Sequence, residues 1–308
     1  MPLYLRIQTP CTFSSLFDDN QSPCWTLKHG LGFSQRDSKK HLRKRYRLPS
    51  LKKVKHIAID EIYKGKKLGY QTVVIDLLNG SVIYTAAGKK GSSLDAFWKR
   101  LKHSGTNIEA VATDMGMAYV SAVQAHLPNA VLVVDHFHVV KRFQEKLTQL
   151  RCALFRQTED EQQKNTLKGT RWLLLKNKEN LNAEKNEASR LNEALALNEP
   201  LAKAYYMKES LQKIWKQSNK EDARKCLDQW VRDAAGSEVK ILESYSKTVS
   251  KFRENRLAYY DFNSMSSGPM EGVNNRIKVM VRQAFGYRDQ EFYELKIKAS
   301  HEAKDVFS

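Results

Sequence analysis

The chain has 308 residues, 41% hydrophobic and 28% charged, with 14 Gly and 7 Pro; this is the composition of a globular protein with a sizeable core, and it excludes a disordered or fibrous chain. Its 52 Lys+Arg against 34 Asp+Glu leave a formal charge of +18, a field that attracts polyanions and nucleic acid first. Cys11, Cys24, Cys152 and Cys226 are scattered, with no CxxC pair, and neither a secretory leader nor an apolar run of about 18 residues is present, so the expectation is a cytoplasmic protein with reduced thiols and no membrane partner.

In chain order, the opening is the most basic part: residues 28–55 hold eleven Lys/Arg and one acid, Asp37. Residues 1–52 read as an atypical basic segment and a candidate for disorder, either touching nucleic acid or forming a solvated tail. From residue 53, VKHIAID, GYQTVVIDLL and GSVIYTAA predict three strands, with Asn79-Gly80 as a tight turn between the last two. SSLDAFWKRLKHSG predicts a helix capped by Ser92 or Ser93, with Leu94, Phe97, Trp98 and Leu101 on one face and Gly105 at its close. NIEAVATDM and NAVLVVDHF follow as two buried strands, separated by a helix over Ala118 to His126. Residues 137–262 lose the strand signals and take on helical periodicity. A last helix starts near Pro269 and stops before Gly286. The expected division is a basic segment over 1–52, the first part of a catalytic core over 53–150, a helical insertion over 151–262, and the core's C-terminal helices over 263–308.

Three strands, a helix, a strand, a helix and a fifth strand make an α/β order of the ribonuclease H-like kind. In that fold a mixed sheet is flanked by helices, and acids at strand ends meet along one edge. Asp60 is expected to close the first strand and Asp114 the fourth. An acid after an apolar strand is more often a turn residue, so the weight falls on a third one. Glu271 sits in the first turn of the last helix, where the helix dipole favours a negative side chain. Asn275, Lys278 and Arg282 follow on its face as candidate phosphate-binding groups for DNA, opposite Val273, Ile277, Val281 and Ala284. An ordinary amphipathic helix with a capping Glu has the same spacing. Lys64, Lys66 and Lys67 crowd the sequence after Asp60 as candidate contacts to DNA phosphates.

The stretches AIDEIYKGKKLGYQTVVIDLLNGSVIY, VATDMGMAYVSAV, AVLVVDHFHVVKRF, LKGTRWLLLKNKENL and MEGVNNRIKVMVRQAFGYRDQEF resemble the bacterial ISL-three family of insertion-sequence transposases. The resemblance implies a DDE transposase that cuts DNA and transfers strands, with Asp60, Asp114 and Glu271 as the acidic triad holding two Mg²⁺ or Mn²⁺ ions. It implies transposon ends and target DNA as partners, assembly as a homodimer or larger on DNA, and a bacterial cytoplasmic, nucleoid-associated location. Asp135 and His138, in DHFH, resemble a D-x-x-H signature of several such groups. His138 is thereby a candidate catalytic residue and Asp135 its support, with a structural hydrogen bond as the competing role and His136 the weaker candidate. The helical region resembles the insertion that interrupts some catalytic cores of this type. Its aromatics Trp172, Tyr205, Tyr206, Trp215 and Trp230 are core residues or base-stacking groups, with Arg171 and Lys176 beside the first; Tyr287 and Arg288 meet DNA or cap the core. The family's upstream zinc segment and helix-turn-helix are not visible, so the chain is expected to be N-terminally truncated. The competing functions are a non-catalytic DNA-binding remnant and a ribonuclease H-like nuclease.

Overall fold

A computed structural model describes residues 35–114, 116–262 and 268–302. Strands β1 (His56–Tyr63), β2 (Tyr70–Asp76), β3 (Val82–Ala87), β4 (Ala110–Thr113) and β5 (Val131–Val134) form one sheet in the order β3-β2-β1-β4-β5. β1, β2 and β3 are an antiparallel meander; β4 and β5 run parallel to β1. Helix α1 (Gln35–Tyr46) precedes the sheet, α2 (Asp95–Ser104) and α3 (Met117–His126) fill the connections around β4, and α4 (His136–Gln157) leaves β5. Then come α5 (Glu161–Lys168), α6 (Arg171–Leu175), α7 (Glu187–Ala196), α8 (Glu199–Lys213), α9 (Lys220–Ala235), α10 (Lys240–Lys251) and α11 (Arg253–Leu257). α12 (Gly268–Gln283) and α13 (Gln290–Ser300) return to the sheet. The α/β class and the five strands follow the sequence reading.

The two sheet faces are covered differently. Ile57, Ile59, Val111, Leu132 and Val134 pack on Phe97, Leu101, Val123 and Phe143, and this core runs without a break into the helical region through Leu201, Trp230 and Leu257. Helices α4 to α11 are therefore anchored by the same apolar mass as the sheet. The other face presents Ala58, Ala110 and Ala112 to Met270, Val273 and Ile277 of α12. Small side chains there let the helix come close to the strands.

Local details depart from the sequence reading in three places. Ser92 and Ser93 do not cap α2: they lie in a 3-10 turn over Gly91–Leu94, and the helix starts at Asp95 with no side-chain cap. Gly105 closes it at φ 65°, as predicted for a left-handed residue. Asp60 does not end β1, which continues three residues to Tyr63. The described part of the basic segment is helical: α1 has no buried residue and is fastened to the end of the chain by charge. Lys39 reaches Asp289 at 2.6 Å and Glu291 at 2.9 Å, Arg43 reaches Glu291, and Arg45 and Tyr46 reach Glu302 at 2.8 Å. Cations counted toward nucleic acid are thus partly neutralised within the molecule. Residues 1–34, with Cys11 and Cys24, lie outside the described residues.

Candidate active site

β4 pairs with β1 only from His56 to Ile59, ending at the pair Ile59 with Thr113. Asp60 and Asp114 are the next residue on each strand. They therefore sit side by side at the carboxyl end of the parallel pair, the crevice where ligands of open α/β sheets bind, about 5 Å apart in backbone spacing. Asp60 stays paired to Val73 on its other side, so it is mid-strand toward β2 and terminal toward β4. That explains why a residue inside a strand still faces open space.

The two carboxylates are held by different means. Asp60 accepts from the Glu61 backbone N–H at 2.8 Å and from Asn274 Nδ2, on α12, at 2.7 Å. Asp114 accepts from the Gly116 N–H at 2.7 Å and from Arg142, on α4, at 3.2 Å. Burial pushes the Asp60 carboxyl above its ordinary range, and the Asp114 charge adds to this; Glu61 N–H, His138 and Asn274 act against it. Glu61 is raised to about 7, by burial first and then by the charges of Asp114 and Asp60. The nearby Tyr119 hydroxyl, which lies 3.0 Å from Thr72 Oγ1, acts against this rise.

These residues open on a cavity of about 730 Å³ whose walls come from β1, α4, α10 and α12. Glu271, Asn274, Asn275 and Lys278 of α12 line it; Arg282 does not. Glu271 is exposed toward this cavity, and among the described residues no three His, Cys, Asp or Glu side chains stand close enough to hold one metal ion. The structure thus brings Asp60 beside Asp114 and places Glu271 across the same opening. Asp135 caps α4, accepting from the Phe137 N–H at 3.1 Å, and is buried. His138 lines the cavity. His136 lines it too, where it was expected to point elsewhere; its ring lies against Trp215 and Tyr259, and burial lowers its pKa.

The candidate lysines near Asp60 do not line the cavity. Lys64 is folded under α13, bonded to Gln71 and Gln290 and lying over the Tyr293 ring, and burial lowers its pKa. Lys66 and Lys67 are exposed in the β1–β2 turn, outside the cavity. The cations at the cavity are Lys141, Arg142 and Lys146 of α4 together with Lys278. A sequence signal exists for Arg142: His138, Arg142, Glu145 and Gln149 recur at steps of four, three and four, away from the apolar Val139, Phe143, Leu147 and Leu150.

Of the aromatics singled out in the helical region, Tyr205 and Trp230 are buried, and Trp230 Nε1 donates to the Met207 carbonyl at 2.8 Å. Trp215 is partly buried against the core. Trp172 and Tyr206 are 66% and 61% exposed, with the Arg171 guanidinium 4.8 Å from the Trp172 ring. Lys176 is tied to Glu187 at 2.6 Å. Tyr287 packs against Tyr293, and Arg288 is exposed.

The sequence profile of the ISL-three type of DDE transposases, described as Transposase, matches residues 57–297. The chain belongs to this transposase family. It is 34% identical over 265 residues to the transposase for insertion sequence element IS1001 of Bordetella parapertussis, covering 85% of this chain and 64% of that protein. It is 26% identical to the transposase for IS1557 of Mycobacterium tuberculosis, covering 79% of this chain and 59% of that protein. The chain thus spans roughly three-fifths of the length of these relatives. The matched region of this transposase-family chain contains every residue at the cavity, from Asp60 to Lys278. No helix among the described residues is long and apolar enough to cross a membrane.

The cluster of negative charge has a measurable signature. The folded-state pKa of Glu61 stands above its ordinary 4.5, at about 7, so its contribution to stability is present at low pH and lost as pH rises from about 4.5 to about 7. Glu61→Gln is expected to flatten this loss. In thermal melts of metal-free protein the variant should gain on the order of 1 kcal/mol over wild type at pH 7.5, a value discounted for partial exposure, and nothing at pH 4. An equal gain at both values would show that Glu61 does not carry the charge strain.

Proposed function

We propose that this chain is the catalytic part of a DDE transposase, cutting and rejoining DNA strands at Asp60, Asp114 and Glu271. The observation that carries the reading is the adjacency of Asp60 and Asp114 at the end of the β1–β4 pair, beneath a cavity rimmed by Lys141, Arg142, Lys146 and Lys278. The strand order with its meander and two parallel strands supports a ribonuclease H-like core. Membership in a DDE family supports divalent metal, and the donor set fits: carboxylate and amide oxygens in a half-buried pocket suit Mg²⁺ or Mn²⁺, with no thiol in the cavity wall. When bound, two such ions activate water or a 3′-hydroxyl and stabilise the leaving oxygen of an in-line displacement.

The chain's own groups then have distinct tasks. Asp60 and Asp114 hold the cation site from the sheet, and Glu271 completes it from α12. Arg142 neutralises Asp114 and, with Lys141, Lys146 and Lys278, seats backbone phosphates without reading sequence. Asp135 fixes the first turn of α4 and so the direction of His138, which faces the scissile phosphate. DNA ends and target are the partners, and joining two ends to one target calls for at least two copies.

The test is joining of pre-cut, double-stranded ends of the insertion sequence encoding this chain to plasmid DNA with Mg²⁺ or Mn²⁺. Metal-dependent joined product is expected. Its absence, with cleavage of an RNA–DNA hybrid instead, would replace this reading by a nuclease.

A further inference from the structure

One side chain at the cavity has a polar atom that the fold leaves unanswered. Asn274 is 7% exposed, on the buried stripe of α12 between Val273 and Ile277. Its Nδ2 donates to Asp60 Oδ2 at 2.7 Å, while its Oδ1 is buried with no hydrogen-bond partner. The amide cannot be turned over to repair this, because the turned form would set oxygen against a carboxylate oxygen. A buried, unpaired amide oxygen costs on the order of 1–3 kcal/mol. A leucine here would extend the apolar stripe without that cost, though also without the hydrogen bond to Asp60.

The cavity offers a reason. The Asp60 carboxylate has about four lone-pair sites, of which Glu61 N–H and Asn274 Nδ2 occupy one on each oxygen. The pair of donors locks the carboxylate plane while leaving a site free on both oxygens. Asn274 lines the same cavity as Asp60 and Asp114. An amide oxygen is a hard donor of the kind that Mg²⁺ and Mn²⁺ accept.

We infer that Asn274 is a positioning residue of the cation site: it orients Asp60 to receive a divalent ion and offers its unpartnered oxygen as a further hard donor beside the two carboxylates. This rests on the proposed metal-dependent reading and adds a residue to it. It also accounts for a site in which the two sheet acids meet while Glu271 stands across the opening. Asn274 was not among the residues picked from the sequence; its neighbour Asn275 was, because Asn275 shares the polar face with Glu271.

Mn²⁺ titration of the full chain, followed by the electron paramagnetic resonance of free Mn²⁺, tests the assignment without any DNA. Asn274→Leu, close in size and free of polar atoms, is expected to weaken Mn²⁺ binding 10- to 100-fold, with the metal-free chain still folded by circular dichroism. Gln283→Ala, exposed on the same helix outside the cavity, should leave the affinity unchanged. Should the leucine variant not fold, Asn274→Ala is titrated in its place with the same expectation. Wild-type affinity in the variant that folds overturns the role of Asn274 alone, provided Asp114→Asn abolishes binding. No Mn²⁺ binding by wild type, or binding indifferent to Asp114→Asn, overturns the cation site itself and this inference with it.

Discussion

Asp114→Asn is expected to lower metal-dependent strand joining by at least about 10³-fold, roughly 4 kcal/mol of transition-state stabilisation, while leaving the fold intact and DNA binding undiminished. The substitution is nearly isosteric, and its amide oxygen can still accept from the Gly116 N–H that now holds Asp114 Oδ1. What disappears is the negative charge beside Asp60. Arg142, which donates to Asp114 Oδ2 in the wild type, loses its charged partner and becomes freer to meet a phosphate. Joining measured on gels and retention measured by electrophoretic mobility should therefore separate: product lost, shifted complex kept or strengthened. Full joining activity in the variant would remove Asp114 from the site, and loss of both signals would point to a role in folding or DNA contact.

The second large effect is on stability and lies far from the cavity. Lys208 is fully buried in α8, with Nζ donating to the carbonyls of Leu174 and Lys176 and paired with Glu209 at 2.9 Å. These carbonyls belong to the end of α6, where the last turn has no helical partners for its C=O groups. The ammonium thus acts as a C-terminal cap delivered from another helix, and the Tyr205 ring lies 4.4 Å from it. Burial lowers its pKa and the Glu209 carboxylate opposes that. Lys208→Met keeps the length of the side chain but leaves two carbonyls and a carboxylate without their donor. A loss of about 3 kcal/mol is expected, read as a fall of roughly 5 °C in melting temperature. A variant as stable as wild type would mean that water replaces the ammonium at the end of α6.

Several sequence readings carried through because they rest on local rules. The β-rich runs and their Gly and Asn-Gly breaks became β1 to β5, and the left-handed closure at Gly105 was specified by the absence of a Cβ. Asp114 directly follows β4, and Glu271 lies in the first turn of α12 as its neighbours implied. Other features turn on a neighbour in space. Of the lysines after Asp60, Lys64 is packed under α13, while Lys66 and Lys67 are exposed in the β1–β2 turn outside the cavity. The basic run before β1 looked like free charge until α13 supplied Asp289 and Glu291 to pair with it.

By itself, then, the amino-acid order determined which segments are strands and helices, the surplus of positive charge, and the acids worth testing, because periodicity, turn chemistry and charge are properties of short stretches. Tertiary structure alone decided which acids are neighbours, which cations reach the cavity, and that Asn274 rather than Asn275 grips Asp60. The physical reason is that these choices depend on the register of β4 on β1 and on how closely α12 settles on Ala58 and Ala112. One such contact joins residues 214 positions apart, and such contacts are selected by packing of the whole molecule, which no local pattern encodes.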